Sequence, residues 1–219
     1  MKASAPSWEQ PDRLQRRITK ELPSKFRDEP DLRRPGSHKN GSSAAEVKKM
    51  DDMTDYQSEN LILHYVTEED LKEVARTWPA DHHPLSDTEA REAIARMRGN
   101  YGRNMKGHIC HLCLAVCEKD HPGAIMGWCG LDGTRNHSEP EIFILLEEEY
   151  RNKGYGTECV KELLRIAAED YALSGVHGGC AKDNTASARA MEKGGMARYG
   201  TEENGDPLFR FYAKEEDRS

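Results

Sequence analysis

The apolar run Ile142-Phe143-Ile144-Leu145-Leu146 is bounded by Glu141 on one side and by Glu147-Glu148-Glu149 on the other. An unbroken apolar run of strand length predicts a strand buried on both faces. After it the period changes. Val160, Leu163, Leu164, Ala167 and Tyr171 recur at helical spacing, which predicts a helix over about 155–173. Upstream, Leu61-Ile62-Leu63-His64-Tyr65-Val66 predicts the first strand of the fold. Thr67 then supplies a helix cap with acids behind it, and Leu71, Val74 and Trp78 carry that helix to Pro79. Ser86 or Asp87 caps a second helix through Ala90, Ile94 and Met97 to Gly99. Strands are expected at 108–118, 124–131 and 176–181. A short helix at 185–193 closes on Gly194-Gly195, and a hairpin over 196–201 and 208–213 turns at Asn204-Gly205.

Composition changes this picture mainly at the N-terminus. Residues 1–57 hold five prolines, the linker-like run Pro35-Gly36-Ser37-His38-Lys39-Asn40-Gly41-Ser42-Ser43, and twelve Lys/Arg against ten Asp/Glu. They read as a polar, disordered arm, and 58–215 as one folded domain. Leu14, Ile18 and Leu22 allow one short helix in the arm, either transient or a docking element. The whole chain has 219 residues and a formal charge of −7, so the part after the arm is about nine charges negative. That balance disfavours nucleic acid and favours a cationic partner. With no apolar segment of membrane-spanning length and no signal-like start, the expectation is a cytoplasmic protein that does not engage membranes.

The stretch His108-Ile109-Cys110-His111-Leu112-Cys113, with Cys117, carries the residue types of a zinc site. Strand alternation sets His111, Cys113 and Cys117 on one face and Cys110 on the other, with Cys113 and Cys117 roughly 13 Å apart. Buried free thiols are therefore favoured over zinc, and no metal is assigned.

Between the central strand and its helix lies Arg151-Asn152-Lys153-Gly154-Tyr155-Gly156. A glycine-bearing loop that opens a helix directs backbone N–H groups and the positive end of the helix dipole at one place, which suits a diphosphate. There is no Gly-Lys-Ser/Thr ending and no third glycine at dinucleotide-fold spacing. The pattern Arg-x-x-Gly-x-Gly after a central strand instead resembles the acyl-CoA-binding motif of the GNAT superfamily of N-acetyltransferases. Glu141-Ile142 and Glu149-Tyr150-Arg151 are most similar to the subgroup of ribosomal-protein alanine acetyltransferases. A second match follows: Asn184, Ser187 and Arg189, then Glu192-Lys193 and Gly195, fit that subgroup's pattern, with Met196 in place of its usual Phe.

The resemblance covers residues 61 to about 213. It implies an α/β (α+β) GNAT fold, a mixed central sheet of about six to seven strands flanked by about four helices. It also implies an acetyl-CoA-dependent N-acetyltransferase that moves the acetyl group directly to a primary amine of a small molecule or protein. Acetyl-CoA would be held by the backbone of Ile144, Leu145 and Leu146, by Arg151, Asn152, Lys153, Gly154, Tyr155 and Gly156, and by Asn184. Many relatives carry an acidic tyrosine seven residues after the Asn; here that position is Met191, which has no proton to donate. The subgroup points instead to Ser187 as a hydrogen-bond donor to the CoA sulfur, or as a small residue beside it. Glu141 is the candidate base, or an edge carboxylate that favours cationic substrates. His82 and His83 fall in the loop that forms part of the acceptor wall in relatives. A homodimer is compatible with this reading. The alternative is a domain that binds acyl-CoA without catalysis, as a sensor or scaffold.

Overall fold

In the computed structural model, residues 53–78 and 84–213 are described. The arm helix at Leu14, Ile18 and Leu22 and the pair His82, His83 lie outside the described residues. The first strand is not the one at Leu61. A two-residue strand, β1 (Tyr56–Gln57), precedes β2 (Leu61–His64) and pairs with it through Tyr56↔Leu63. Tyr56 is buried, with its hydroxyl 3.0 Å from that of Tyr65, so packing makes this strand where periodicity over two residues has nothing to read.

Thr67 and Asp70 form a reciprocal cap on a short 3-10 turn that leads into α1 (Leu71–Thr77). Ser86 and Glu89 form the same device at the start of α2 (Asp87–Tyr101). That helix runs past Gly99 because Tyr101 is buried and its hydroxyl donates to the Cys113 carbonyl at 2.6 Å. β3 (His111–Glu118) and β4 (Ile125–Asp132) are buried without alternation, as expected of strands covered on both faces. β5 (Glu141–Leu146) follows, then α3 (Tyr155–Arg165), which continues through a π-type turn over Ile166–Asp170. All five residues of the predicted apolar stripe on α3, Val160 to Tyr171, are buried. β6 (Gly175–Gly179), α4 (Thr185–Gly194), β7 (Ala197–Thr201) and β8 (Pro207–Tyr212) complete the order.

Eight strands among the described residues form one mixed sheet in the order β1-β2-β3-β4-β5-β6-β8-β7, one or two more than expected. The closing hairpin is there, but β8 lies inside and β7 at the edge. No helix among the described residues is long and apolar enough to cross a membrane.

One junction in the sheet differs from the others. β5 pairs with β4 along its full length, and β6 with β8 along its full length. β5 and β6 run parallel and meet only at Glu141↔His177, where the His177 N–H donates to the Pro140 carbonyl at 2.9 Å. Beyond that point they part, leaving a wedge that opens toward the carboxyl ends of both strands. α4 lies over the wedge. It starts at Asn184, just past the carboxyl end of β6, and runs back until Met191 reaches the closed end. There Met191 Sδ would stand 3.0 Å, and Ile142 Cγ2 2.9 Å, from a Cβ added at Gly178. A side chain at this position would make Met191 and Ile142 give way.

At the other end of the sheet, His64 sits between two carboxylates, with Nδ1 2.9 Å from Asp55 and Nε2 3.0 Å from Asp70. Carboxylates accept only, so both ring nitrogens carry protons. Asp55 and then Asp70 pull the imidazole up to about 10, against burial. Its charged form therefore stabilises the fold fully below the unfolded value of about 6.5, and this contribution fades as pH rises toward about 10.

Two outcomes are expected. His64→Ala should cost about 2 kcal/mol near pH 6 in urea titrations, with the difference from the parent protein shrinking as pH approaches 10; a pH-independent difference would contradict the ion triad. Gly178→Ala should cost about 1–3 kcal/mol, and Gly178→Ala with Met191→Ala should cost less than the two changes summed. Strict additivity would mean that the α4 contact is not made.

Candidate active site

The site is the wedge and its mouth. Backbone groups alternate along β5 between its two neighbours. The N–H of Glu147 turns toward β4, bonding the Met126 carbonyl at 3.0 Å, and the Pro140 carbonyl turns toward β6. By alternation Ile144 and Leu146 aim their main-chain groups into the wedge, and Leu145 aims its own at β4. The Leu146 carbonyl is already taken there, by Arg151 Nε at 2.8 Å. Of the three strand residues expected to meet a pantetheine arm, two are thus oriented for it through the backbone.

The loop residues Arg151, Asn152, Lys153 and Gly154 are exposed, and Tyr155 and Gly156 half-buried, at the mouth of the wedge. Gly154 takes φ +94, a left-handed conformation that suits glycine, and it caps α3 without any side-chain hydrogen bond. The first N–H groups of α3 therefore have no side-chain partner at the cap, which is the arrangement an anion fills. Among the described residues, and apart from its chain neighbours and its own helix, no atom lies within 4 Å of a Cβ built on Gly154. Asn152 also has positive φ, at 61. Across the mouth, a Cβ on Gly156 would touch Ala190 of α4 at 3.7 Å.

The N-terminal end of α3 is held by groups that sequence reasoning passed over. Glu158, in its first turn, accepts from the Ser58 hydroxyl and the Asn60 N–H, each at 2.6 Å, and from the Asn60 amide at 3.1 Å. Burial would raise the Glu158 carboxyl, but these donors outweigh it and hold it below the ordinary range. Tyr155 donates its hydroxyl to Glu118 at the end of β3. Arg76 of α1 joins the end of β5 by a 2.6 Å contact with Glu147 and donates to the Ile125 carbonyl at 2.8 Å. Only the three-dimensional contacts reveal these partners, which lie 37 to 100 residues apart in the chain.

Asn184 caps α4 by accepting from the Ser187 N–H at 3.1 Å. Ser187 is half-buried and stands one turn before Met191, so both share the helix face turned to the wedge. Met191 itself is 8% exposed, and its thioether fills the floor. Glu141 is half-buried at the closed end, opposite Asp132 on one side and His177 on the other. Beside it Glu139 accepts two bonds from Arg210, at 2.6 and 2.7 Å, and lies 3.1 Å from His177. The Arg210 guanidinium, with His177 helping, keeps the Glu139 carboxyl below its usual range. Across the sheet, burial would lift Asp132, but His111 and Thr134 draw it down to about 2. The structure thus brings Ile144, Leu146, the Arg151–Gly156 loop, Asn184 and Ser187 around one opening. Glu141 stands at the far end, about 17 Å from Leu146 along the strand.

A family model described as the acetyltransferase (GNAT) domain matches residues 60–197. Searched against curated proteins, the chain finds no match. Among solved structures, the ribosomal-protein alanine acetyltransferase from Vibrio fischeri is similar with a TM-score of 0.62 at 13% identity, covering 74% of this chain and 98% of that one. The ribosomal alpha-N-protein acetyltransferase RimL, in complex with coenzyme A, gives 0.53 at 15% identity, covering 71% and 96%. The microcin C7 self-immunity acetyltransferase MccE, with acetyl-CoA and AMP, gives 0.53 at 15%, covering 71% and 93%. At such identities the structural likeness speaks for the fold, and the family match for the lineage. The chain belongs to the GNAT acetyltransferases.

Proposed function

We propose that this chain transfers the acetyl group directly from acetyl-CoA to a primary amine of a cationic acceptor, small molecule or protein. The observation that carries the reading is the wedge: helix N–H groups with no side-chain cap among the described residues at its mouth, strand groups that β6 leaves open along its wall, and a carboxylate at its closed end. In this reading the first N–H groups of α3 bind the diphosphate, with Arg151, Asn152 and Lys153 around them. The main chain of Ile144 and the N–H of Leu146 pair with the pantetheine amides, completing the ladder that β6 leaves open. Leu145 contributes packing, and Asn184 supplies its amide from the opposite side. Acetyl-CoA brings the activated acyl group. The amine nitrogen bonds to the acyl carbon as the C–S bond breaks. Glu141 takes the amine proton, directly or through a water, since a lysine-like amine near ~10.4 must lose one to attack. Ser187 hydrogen-bonds the departing sulfur. The formal charge of the chain after its arm supports a cationic acceptor.

Met191 favours a second reading. Its buried thioether occupies the position at which many relatives carry an acidic tyrosine, so a domain that binds acyl-CoA without turnover fits the same wedge. Release of free thiol from acetyl-CoA in the presence of an amine panel separates the two readings.

Acetyl-CoA is expected to raise Tm, by about 3 kcal/mol of stabilisation at a hundred times Kd. Gly154→Glu should abolish the shift, because it adds a negative charge and a strained φ where the diphosphate binds. A chain that binds no CoA ester refutes both readings. Glu141→Gln should lower kcat by about a hundredfold or more with CoA affinity kept, and Ser187→Ala should lower kcat more than CoA affinity. Parental turnover in either variant removes that residue from the mechanism.

A further inference from the structure

Three side chains far from the mouth of the wedge converge without a role in acyl transfer. His108, Cys110 and His137 bring one nitrogen or sulfur each to within 4.8 Å of one another. The strand pattern separated Cys110 from Cys113 and Cys117; in the structure Cys113 and Cys117 are buried within β3, and Cys110 is half-buried just ahead of it. The third member comes from elsewhere. His137 lies in the segment between β4 and β5, and its ring stacks on that of His108 with centroids 4.1 Å apart.

The cluster is built on fixed backbone. The Ile109 N–H donates to the His137 carbonyl at 2.9 Å, and His137 Nδ1 lies 2.9 Å from the Ile109 carbonyl. Ile109 is fully buried, so this two-way clasp pins the β4–β5 segment to the approach to β3. Asn104, 1% exposed, accepts from the Cys110 N–H at 2.8 Å and donates to the His111 carbonyl at 3.1 Å. His108 and Met105 exchange both backbone bonds at 2.9 Å.

The chemistry of the donors is specific. A carbonyl oxygen only accepts, so Nδ1 of His137 carries a ring proton, and in the neutral ring Nε2 holds the lone pair. Orientation of a ligating imidazole by a carbonyl on its other nitrogen is the usual support of a metal-bound histidine. Cys110 Sγ is 3.4 Å from His108 Nε2. Bonds of about 2.0 Å to nitrogen and 2.3 Å to sulfur in a tetrahedral zinc site imply edges of about 3.3–3.6 Å, so this pair already has the spacing. His137 is exposed, which leaves the remaining position of a tetrahedron to solvent.

We propose that His108, Cys110 and His137 form a binding site for one zinc ion. The Cys110 thiol loses its proton to solvent as the sulfur–zinc bond forms, and the two imidazoles bind as neutral donors. The ion ties the segment ahead of Glu141 to the start of β3, so its effect on the acyl-transfer site is to hold the entry to β5.

The test uses the full chain, stripped with a chelator and titrated with Co2+ and then Zn2+. The expected result is a thiolate-to-cobalt charge-transfer band that saturates at one equivalent, is displaced by Zn2+, and comes with release of one proton. Cys110→Ser should abolish the band. His137→Ala, at an exposed position, should weaken binding at least tenfold, and Cys180→Ser should leave the band unchanged. A titration with no thiolate band, or a band that survives Cys110→Ser, overturns the site.

Discussion

A backbone amide that leaves one strand must find another partner or water. β5 and β6 create that demand by touching at Glu141↔His177 and then separating. Each strand is secured on its outer side, β5 by β4 and β6 by β8, so the opening is part of a rigid sheet and not a frayed edge. The groups exposed between them are the polar donors and acceptors that an extended, amide-bearing ligand can satisfy. Three elements are arranged about that opening: α3 begins at its mouth, α4 lies along it, and the β4–β5 segment leads into its closed end.

Two kinds of packing hold this arrangement. On the α4 side the contact is apolar and close, with Gly178 giving room for Met191 and Ile142. Gly194 does the same against Val160, bringing the end of α4 onto α3. On the α3 side the contact is polar. Glu158 reaches back to Ser58 and Asn60, and Tyr155 to Glu118, so the helix is moored to the first strands of the sheet. A helix dipole is useful for anion binding only where its end is fixed, and these bonds fix it. The N-terminal half of the sheet thereby does more than fill space.

Much of this was legible in the sequence where the signal is local. The stripe on α3, the Thr67 and Ser86 caps, the Asn204-Gly205 turn and the Gly154 loop each follow from neighbours within a few positions, and each lies where spacing puts it. The parting of β5 from β6 was not legible, because an apolar run reads alike whether one or both of its edges are paired. β1 escaped notice since two residues have no period. His137 was missed for a related reason: its polar loop carries no pattern, and it meets His108 and Cys110 only after two strands have folded back. The π-type turn at Ile166–Asp170 keeps the apolar face buried and so leaves no trace in hydrophobicity.

The closed end of the wedge holds two neighbouring acids, and their surroundings divide the work between them. Glu139 is bound twice by Arg210 and once by His177, and those partners depress its carboxyl. A general base works best with a pKa near the working pH, so a carboxylate held down by a guanidinium is a poor proton acceptor. Its service is structural: it fixes His177, which is the one residue of β6 that still pairs with β5. Glu141 stands at that same pairing point, two residues further on, with its backbone in the ladder between Asp132 and His177. On the proposed reading, then, the acid that takes the proton is positioned by the last rung before the strands part, and the acid beside it keeps that rung in place.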